Sequence, residues 1–369
     1  MVFCDADAAL EAVDAALMTV RRWSSACLCL ALWGHLVPAS AAAAPLLPCP
    51  LNAGWQLGLQ LELPRQNAAG QPIGGFSAAH WSPAEARLLL LSDLPSGSLA
   101  RWSWPRADSA PSLLGQTPLR SSPAQRLPEA IDAEGLVALG RQWWVASEGR
   151  RRADRPAQLL RFSAPGGVLL EALPLPEDWQ PAPGRGLASN GGPESLLLLP
   201  GRNPAEPPAL LMAAEVPLLQ DPPRLVRLLR WWWPAGADPA RTAPSPSPQG
   251  ALELPEGEGW GLTDLLATGP RQLLALLRRF EAPDRWQIRL ALYPLPPTGS
   301  SGAAPPLAEW DLIAIGLKPD NWEALIPGPT LSDGKPSLLL ASDDNLNPLQ
   351  ANRLALLSPR RSGCEGAGR

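Results

Sequence analysis

The sequence predicts an all-β fold, a single-domain β-propeller of five or six four-stranded blades. Three observations carry this. Five stretches repeat one pattern, in which a small or acidic cluster leads into an apolar run and a second apolar run ends on a polar residue. They are GGFSAAHW…LLLLSD (Gly74 to Asp93), DAEGLVAL…WWVASE (Asp132 to Glu148), GGPESLLLL…LLMAAE (Gly191 to Glu215), GLTDLL…LLALLRRF (Gly261 to Phe280) and DNWEALI…LLLASDDN (Asp320 to Asn345). With Ser77, Glu134, Glu194, Asp264 and Glu323 as equivalent positions, the intervals are 57, 60, 70 and 59 residues, a period that suits a propeller or array. The apolar runs are short and bounded by Pro, Gly, Asp, Ser or Arg, as in strands covered on both faces. Finally, 46 Pro and 32 Gly in 369 residues suit many turns between short strands.

Each repeat of about 60 residues has room for four strands. The runs Leu88–Leu91, Trp143–Val145, Leu196–Leu199, Leu273–Leu277 and Leu338–Leu340 supply the buried strands. Alternating segments such as Leu159 to Phe162 and Trp286 to Leu290 supply half-exposed ones. Pro234 to Gly250 and Pro294 to Pro306 read as long surface loops within the array. Leu51 to Leu63 supplies a strand that completes the blade begun by Leu354 to Leu357. Trp231, Trp232 and Trp233 read as alternating across a strand.

The chain start reads as an export signal. Arg21 and Arg22 precede the apolar stretch Ala26 to Val37 and the small residues Ala39 to Ala44. The acidic residues before Met18 do not suit such a signal. The expected organisation is therefore a misassigned extension at 1–17, a signal peptide at 18–44, the propeller at 45–357 and a tail at 358–369. The mature chain would be periplasmic or secreted, with no membrane span. Cys49 and Cys364 remain after cleavage, and two readings stand: a bridge joining the ends of the propeller, or two free thiols on its tails.

The net charge of −4 gives no reason to expect nucleic-acid binding. The mature chain has one histidine, His80, and no G-x-S-x-G elbow, which argues against a Ser-His-Asp hydrolase. It also lacks CxxC, HExxH, Walker and GxGxxG motifs.

The carboxylates are the chemistry that repeats. In an antiparallel hairpin, the residue entering the first strand neighbours the residue leaving the second. Glu134 then meets Glu148, Glu194 meets Glu215, and Glu323 meets Asp343 and Asp344. Ser77 pairs with Asp93 and Asp264 with Arg278. A ring of blades gathers these pairs at one mouth of the central channel. Adjacent carboxylates raise each other's pKa, so the ring needs a hard cation with oxygen ligands or neutralising arginines such as Arg150, Arg151, Arg152, Arg185, Arg278 and Arg279. Asn190, Asn321, Asn345 and Asn347 lie close in sequence. The plainer reading is that these acids are turn formers bonded to backbone at strand ends.

The motifs GGFSA…LLLLSD, DAEGL…WVASEG, ESLLL…MAAE, GLTDLL and DNWEAL…LLLASDDNLNPLQ together resemble the phytase-like family, described as "esterase-like activity of phytase". The likeness runs from Gly74 to Leu357. The resemblance implies an exported bacterial β-propeller that hydrolyses phosphate or other esters with a divalent cation such as Ca²⁺. Carried over by position, the candidate metal ligands are Asp132, Glu134, Glu148, Glu194, Glu215, Asp264, Glu323, Asp343 and Asp344. Asp320 falls in the same motif. Glu134, Glu148, Glu323 and Asp343 are the catalytic candidates. Arg150, Arg151, Arg152, Asn321, Asn345 and Asn347 are the substrate-binding candidates. The chain departs from the family pattern at Leu277, where an acid is expected, and at Gly191-Gly192-Pro193.

The leading expectation is a monomeric, metal-dependent hydrolase acting on a small ester or phosphoester. A non-catalytic propeller with structural Ca²⁺, binding a protein, glycan or envelope ligand, is the alternative. A sugar-lactone hydrolase is the third reading.

Overall fold

The computed structural model describes residues 46–362 except 96, 152, 153, 202, 204 and 205. The expected extension, signal peptide, Arg152 and Cys364 lie outside the described residues. All described strands belong to one compact unit, Ala44–Arg369.

The first strand, β1 (Trp55–Glu62), precedes the hairpin-linked first blade: β2 (Phe76–Ser82), β3 (Arg87–Ser92), β4 (Ser98–Ser103) and β5 (Ser112–Pro118). The second blade is β6 (Ala133–Leu139), β7 (Gln142–Ser147), β8 (Gln158–Ser163) and β9 (Leu169–Pro174). The third is β10 (Pro193–Leu199), β11 (Ala209–Ala214), β12 (Leu225–Trp232) and β13 (Ser245–Glu253). The fourth holds β14 (Trp260–Gly269), β15 (Gln272–Glu281) and β16 (Arg285–Pro294). After β17 (Ala303–Ala304), which pairs onto β13, its outer strand is β18 (Ala308–Asp311). The fifth is β19 (Asn321–Pro327), β20 (Leu338–Asp343) and β21 (Arg353–Pro359), with β1 as its outer strand.

There are thus five blades, not six. The N-terminal strand joins the last blade, with Trp55 opposite Pro359 and Glu62 opposite Arg353, so no described strand is left to found a sixth. Arg65 reinforces the closure: its guanidinium donates to the carbonyls of Asn347 and Gln350 and lies 3.0 Å from Asp344. Cys49 is disulfide-bonded, and its N–H donates to the Arg361 carbonyl at 2.9 Å. The third blade corrects a second expectation. Ser245 to Gly250 is strand, because β13 is an outer strand and its edge needs no N–H from Pro246 or Pro248.

Inner strands β2, β6, β10, β14 and β19 pack around the central channel, each against its neighbours. The leucine runs fill the layers between blades. Leu88 and Leu90 pack against the fifth blade's Leu339 and Leu356, whereas Leu89 and Leu91 pack against the second blade's Leu136 and Val145. Alternate side chains of one strand thus serve two cores. The tryptophan triplet alternates as expected: Trp231 and Trp233 are buried and Trp232 is 40% exposed.

One irregularity recurs in every blade. The register between the inner strand and its neighbour shifts between Phe76 and Ala78, Ala133 and Gly135, Pro193 and Ser195, Leu262 and Asp264, and Trp322 and Ala324. The extra residues are Ser77, Glu134, Glu194, Thr263 and Glu323. A bulge sets two residues against one and re-aims a side chain. Here it turns the entry residue of each blade toward the channel mouth.

Candidate functional site

Three tiers of side chains build the mouth. The bulge tier is Ser77, Glu134, Glu194, Thr263 and Glu323. The exit tier, where the second strand of each blade leaves the sheet, is Asp93, Glu148, Glu215, Arg278 and Asp343. The approach tier faces the exit residues across the hairpin: Gly75, Asp132, Gly192, Gly261 and Asn321. Asp93 donates its N–H to the Gly75 carbonyl, Glu148 to Asp132 and Glu215 to Gly192, while Gly261 pairs with Arg278 and Asn321 with Asp343.

The fourth blade corrects the sequence reading. Thr263, not Asp264, occupies the bulge. A shift of one residue sends a strand side chain to the opposite face. Ser77 and Thr263 act alike: each hydroxyl donates to a carbonyl of the next inner strand, Ser77 to Ala133 and Thr263 to Trp322. Asp264 points down the channel, where it accepts from Ser195 Oγ (3.0 Å), Leu265 N (2.8 Å) and Leu325 N (2.7 Å). It ties three adjacent blades together and does not line the mouth. Replacing Asp264 with Ala leaves these donors without an acceptor and should cost about 3 kcal/mol. Urea melts should show this loss equally with Ca²⁺ and with chelator. Loss of any Ca²⁺ response instead would identify Asp264 as a ligand.

The exit carboxylates do not all meet the same neighbour. Glu148 lies over Gly192, whose N–H donates to its Oε1 at 3.0 Å. Glu215 lies over Gly261, where an added Cβ would come within 2.5 Å of its Oε1. In the fourth blade the exit residue is a cation: Arg278 donates to Glu323 Oε1 (2.7 Å) and Glu215 Oε1 (3.0 Å). Asp93 is different. It faces Asp132 and Glu134 of the second blade, and one carboxylate oxygen from each of the three lies within 4.8 Å of the others. Glycine supplies room at two junctions and Arg278 supplies charge at a third; here three acids meet, with Arg150 paired to Asp132.

The cavity at the mouth measures about 360 Å³. Asp93, Glu134, Glu148, Glu194, Glu215, Glu323 and Asp343 line it, with Arg150 and Arg278 as the cations among the described residues. Arg150 sits at the rim, its Nε 2.8 Å from Asp132 Oδ2. The Nδ2 of Asn321 bridges Glu323 (2.7 Å) and Asp343 (3.2 Å), and its Oδ1 is buried with no hydrogen-bond partner. Phe280 and Trp286, 4.7 Å apart, form an aromatic wall at one side of the mouth.

Burial pushes the carboxyls of Asp93 and Glu148 up to about 7. Glu134 and Asp343 stand well above the usual carboxylate range, first through burial and then through repulsion from Glu323 and Asp93. Glu194 stands there too, through burial and repulsion from Glu134. Burial also raises Glu323, against the pull of Arg278. Burial alone would lower Arg278, but Glu323, Glu215 and Glu194 hold it above its ordinary value.

A consequence follows for the chelated protein. Between about pH 4 and pH 7 the native state holds protons on Asp93 and Glu148 that the unfolded chain has released. The stabilisation is full below the unfolded values and is lost as pH rises through about 7. Urea midpoints in chelator should therefore fall from pH 5 to pH 8. A midpoint that rises over this range would contradict the burial of these acids.

The mouth gathers most of the residues expected from sequence: Glu134, Glu148, Glu194, Glu215, Glu323, Asp343, Arg150, Asn321 and Asn345, with Asp132 completing the cluster on Asp93. Others serve the scaffold. Asp344 accepts from Gly75 N and pairs with Arg65. Asp320 accepts from Arg353 Nε and Asn321 N. Asn347 accepts from Arg65 through its carbonyl and from Leu349 N through its side chain. Arg151 donates to the carbonyls of Ala182 and Leu187. The acid expected at position 277 would lie in the core, since Leu277 is fully buried opposite Leu262. Phe280 and Trp286 were missing from the expected site, and Asp93, expected at the mouth beside Ser77, was not among the expected ligands. Asp93 ends its leucine run as Glu148 and Glu215 end theirs, which was the available signal.

Fold and site define a class: a five-bladed propeller with a carboxylate-lined mouth. The chain belongs to the phytase-like family, whose model, described as "Esterase-like activity of phytase", matches residues 71–346. No curated protein matches the chain. Among solved structures, it is similar to the catalytic domain of a Coprinopsis cinerea GH62 α-L-arabinofuranosidase at 12% identity, covering 84% of this chain and 98% of that one, with a TM-score of 0.47. It is similar to an α-L-arabinofuranosidase from Clostridium thermocellum at 9% identity, covering 76% and 88%, with a TM-score of 0.43. It is also similar to a periplasmic gluconolactonase from Pseudomonas aeruginosa at 12% identity, covering 87% and 96%, with a TM-score of 0.38. Likeness at this level says nothing about activity.

Proposed function

We propose that the protein is an exported, divalent-cation-dependent hydrolase of small phosphate or carboxylic esters that works as a monomer. The observation that carries this is the junction of Asp93, Asp132 and Glu134, where one carboxylate oxygen from each lies within 4.8 Å of the others and Arg150 pairs with Asp132 from the rim. The donor set fits a hard cation such as Ca²⁺: it is all oxygen, mostly carboxylate, and includes the unpartnered Oδ1 of Asn321 within the same cavity. The family's description as esterase-like supports the reaction class. No described helix is long and apolar enough to cross a membrane.

A bound divalent cation would polarise the ester and lower the pKa of water. The remaining roles fall to the chain. Arg150, at the rim and tethered through Asp132, binds the anionic part of the substrate. Glu148, with a pKa of about 7 and its Oε1 fixed by Gly192 N, takes the proton from the attacking water and returns it to the leaving group. Arg278 keeps Glu215 and Glu323 in place. The test is hydrolysis of a phosphomonoester, an open carboxylic ester and a sugar lactone, with Ca²⁺ and with chelator. Chelator-sensitive turnover of one of these supports the proposal and names the ester class.

One observation favours the non-catalytic reading. Arg278 already neutralises part of the ring, as expected where a cation only completes a scaffold. In that case no ester is turned over, while Ca²⁺ still raises the melting temperature.

A further inference from the structure

A second cavity, of about 410 Å³, opens between the first and second blades on the face opposite the carboxylate mouth. His80, Ser82, Arg87, Arg101, Arg141 and Trp143 are among its lining residues, and Glu85 is the acid among the described ones. Its charge is therefore opposite to that of the mouth.

The repeat shows why Arg101 is unusual. In three other blades, an arginine on the third strand pairs with a carboxylate on the outer strand. Arg161 of β8 meets Glu171 of β9 at 3.0 Å, and Arg289 of β16 meets Glu309 of β18 at 2.8 Å. Arg353 of β21 pairs with Glu62 of β1. Arg101 occupies β4, but the residue opposite it on β5 is Gly115, which has no side chain to offer. Its Nε is buried without a hydrogen-bond partner. Arg87 is engaged by Glu85 at 3.1 Å, whereas Arg141, exposed on the β6–β7 turn, shares no ion pair with a described residue. Two guanidinium forks thus face one cavity with no carboxylate paired to either. Trp143, Leu89 and Ala138 supply an apolar wall that weakens solvent screening.

We propose that this cavity binds a doubly charged oxyanion of the phosphate or sulfate class, held between Arg101 and Arg141. Guanidinium forks match such oxygens bidentately, and two unneutralised arginines match a dianion. The inference is independent of the reaction proposed at the mouth.

The test is calorimetric titration of the chelator-treated protein with inorganic phosphate and, separately, sulfate. Binding of one anion per chain is expected. Arg101→Gln and Arg141→Gln should each weaken it at least about tenfold, the scale of a charge-assisted hydrogen bond. Glu134→Gln, on the other face, should leave it unchanged. Arg141 is exposed, so its variant keeps the test valid if Arg101→Gln perturbs the fold. Preference for one anion would identify the ligand within the class. Absence of binding, or binding that neither arginine variant weakens, would overturn the proposal.

Discussion

Replacing Arg278 with Met should destabilise the chelated protein by about 3–5 kcal/mol, the scale of removing one partner from a buried ion pair. Arg278 is the only cation in the exit tier, and it holds Glu215 and Glu323 at 3.0 and 2.7 Å. Its side chain keeps 17% exposure and theirs about 10%, so solvent relieves part of the cost and the lower end of the range is expected. Without the guanidinium, Glu323, Glu194 and Glu134 repel with no counter-charge among them. Ca²⁺ should restore much of the loss, because a cation in the mouth replaces the missing charge. Urea melts with and without chelator measure both effects. A loss below about 1 kcal/mol in chelator would mean that the carboxylates are protonated or solvated enough not to need Arg278.

The second large effect has the opposite sign for stability. Glu134→Gln should lower ester hydrolysis at least about 100-fold, the scale on which even a ligand's supporting partner matters. Yet the chelated variant should melt no lower than the parent. Glu134 is buried and is opposed by Glu323, Asp93, Glu148 and Asp132. A neutral amide of the same shape removes that repulsion. Loss of activity with unchanged or raised melting temperature places Glu134 in the working site. A lower melting temperature in chelator would instead make its carboxylate a structural acceptor.

Much of this arrangement was legible in the sequence, and the misses have physical causes. The period of about 60 located four of five bulge residues, because Glu134, Glu194 and Glu323 repeat a charge and Ser77 sits in the same frame. In the fourth repeat the expected position, Asp264, lies one residue beyond the bulge at Thr263. The intervals on either side cannot reveal that offset, since a one-residue difference disappears within loops of varying length. The acid looked like the better counterpart of glutamate. Only the register shows that the hydroxyl of Thr263 repeats the role of Ser77, and that Asp264 became a clip between blades.

The closing strand was readable from Leu51 to Leu63, because its apolar residues need a partner and the chain end supplies one. The five-versus-six question was not, since leftover strands at both ends fit either count. Asp344 and Asp320 look like ligands by their neighbours in sequence, but Arg65 claims Asp344 across the ring closure and Arg353 claims Asp320 within the fifth blade, and no local pattern announces either contact. Phe280 and Trp286 reach the mouth because β15 and β16 run ten residues each, longer than their counterparts in the first two blades. Length of that kind is difficult to read where the flanking residues are Arg and Glu.

If the junction of Asp93, Asp132 and Glu134 is a cation cage, calcium titration by calorimetry will show it. The chelator-stripped protein should bind Ca²⁺, and Asp93→Asn and Glu134→Gln should each abolish that binding, whereas Asp264→Ala should preserve it. Failure of the parent protein to bind any divalent cation, or Ca²⁺ binding that survives both Asp93→Asn and Glu134→Gln, would rule out a cation cage at this junction.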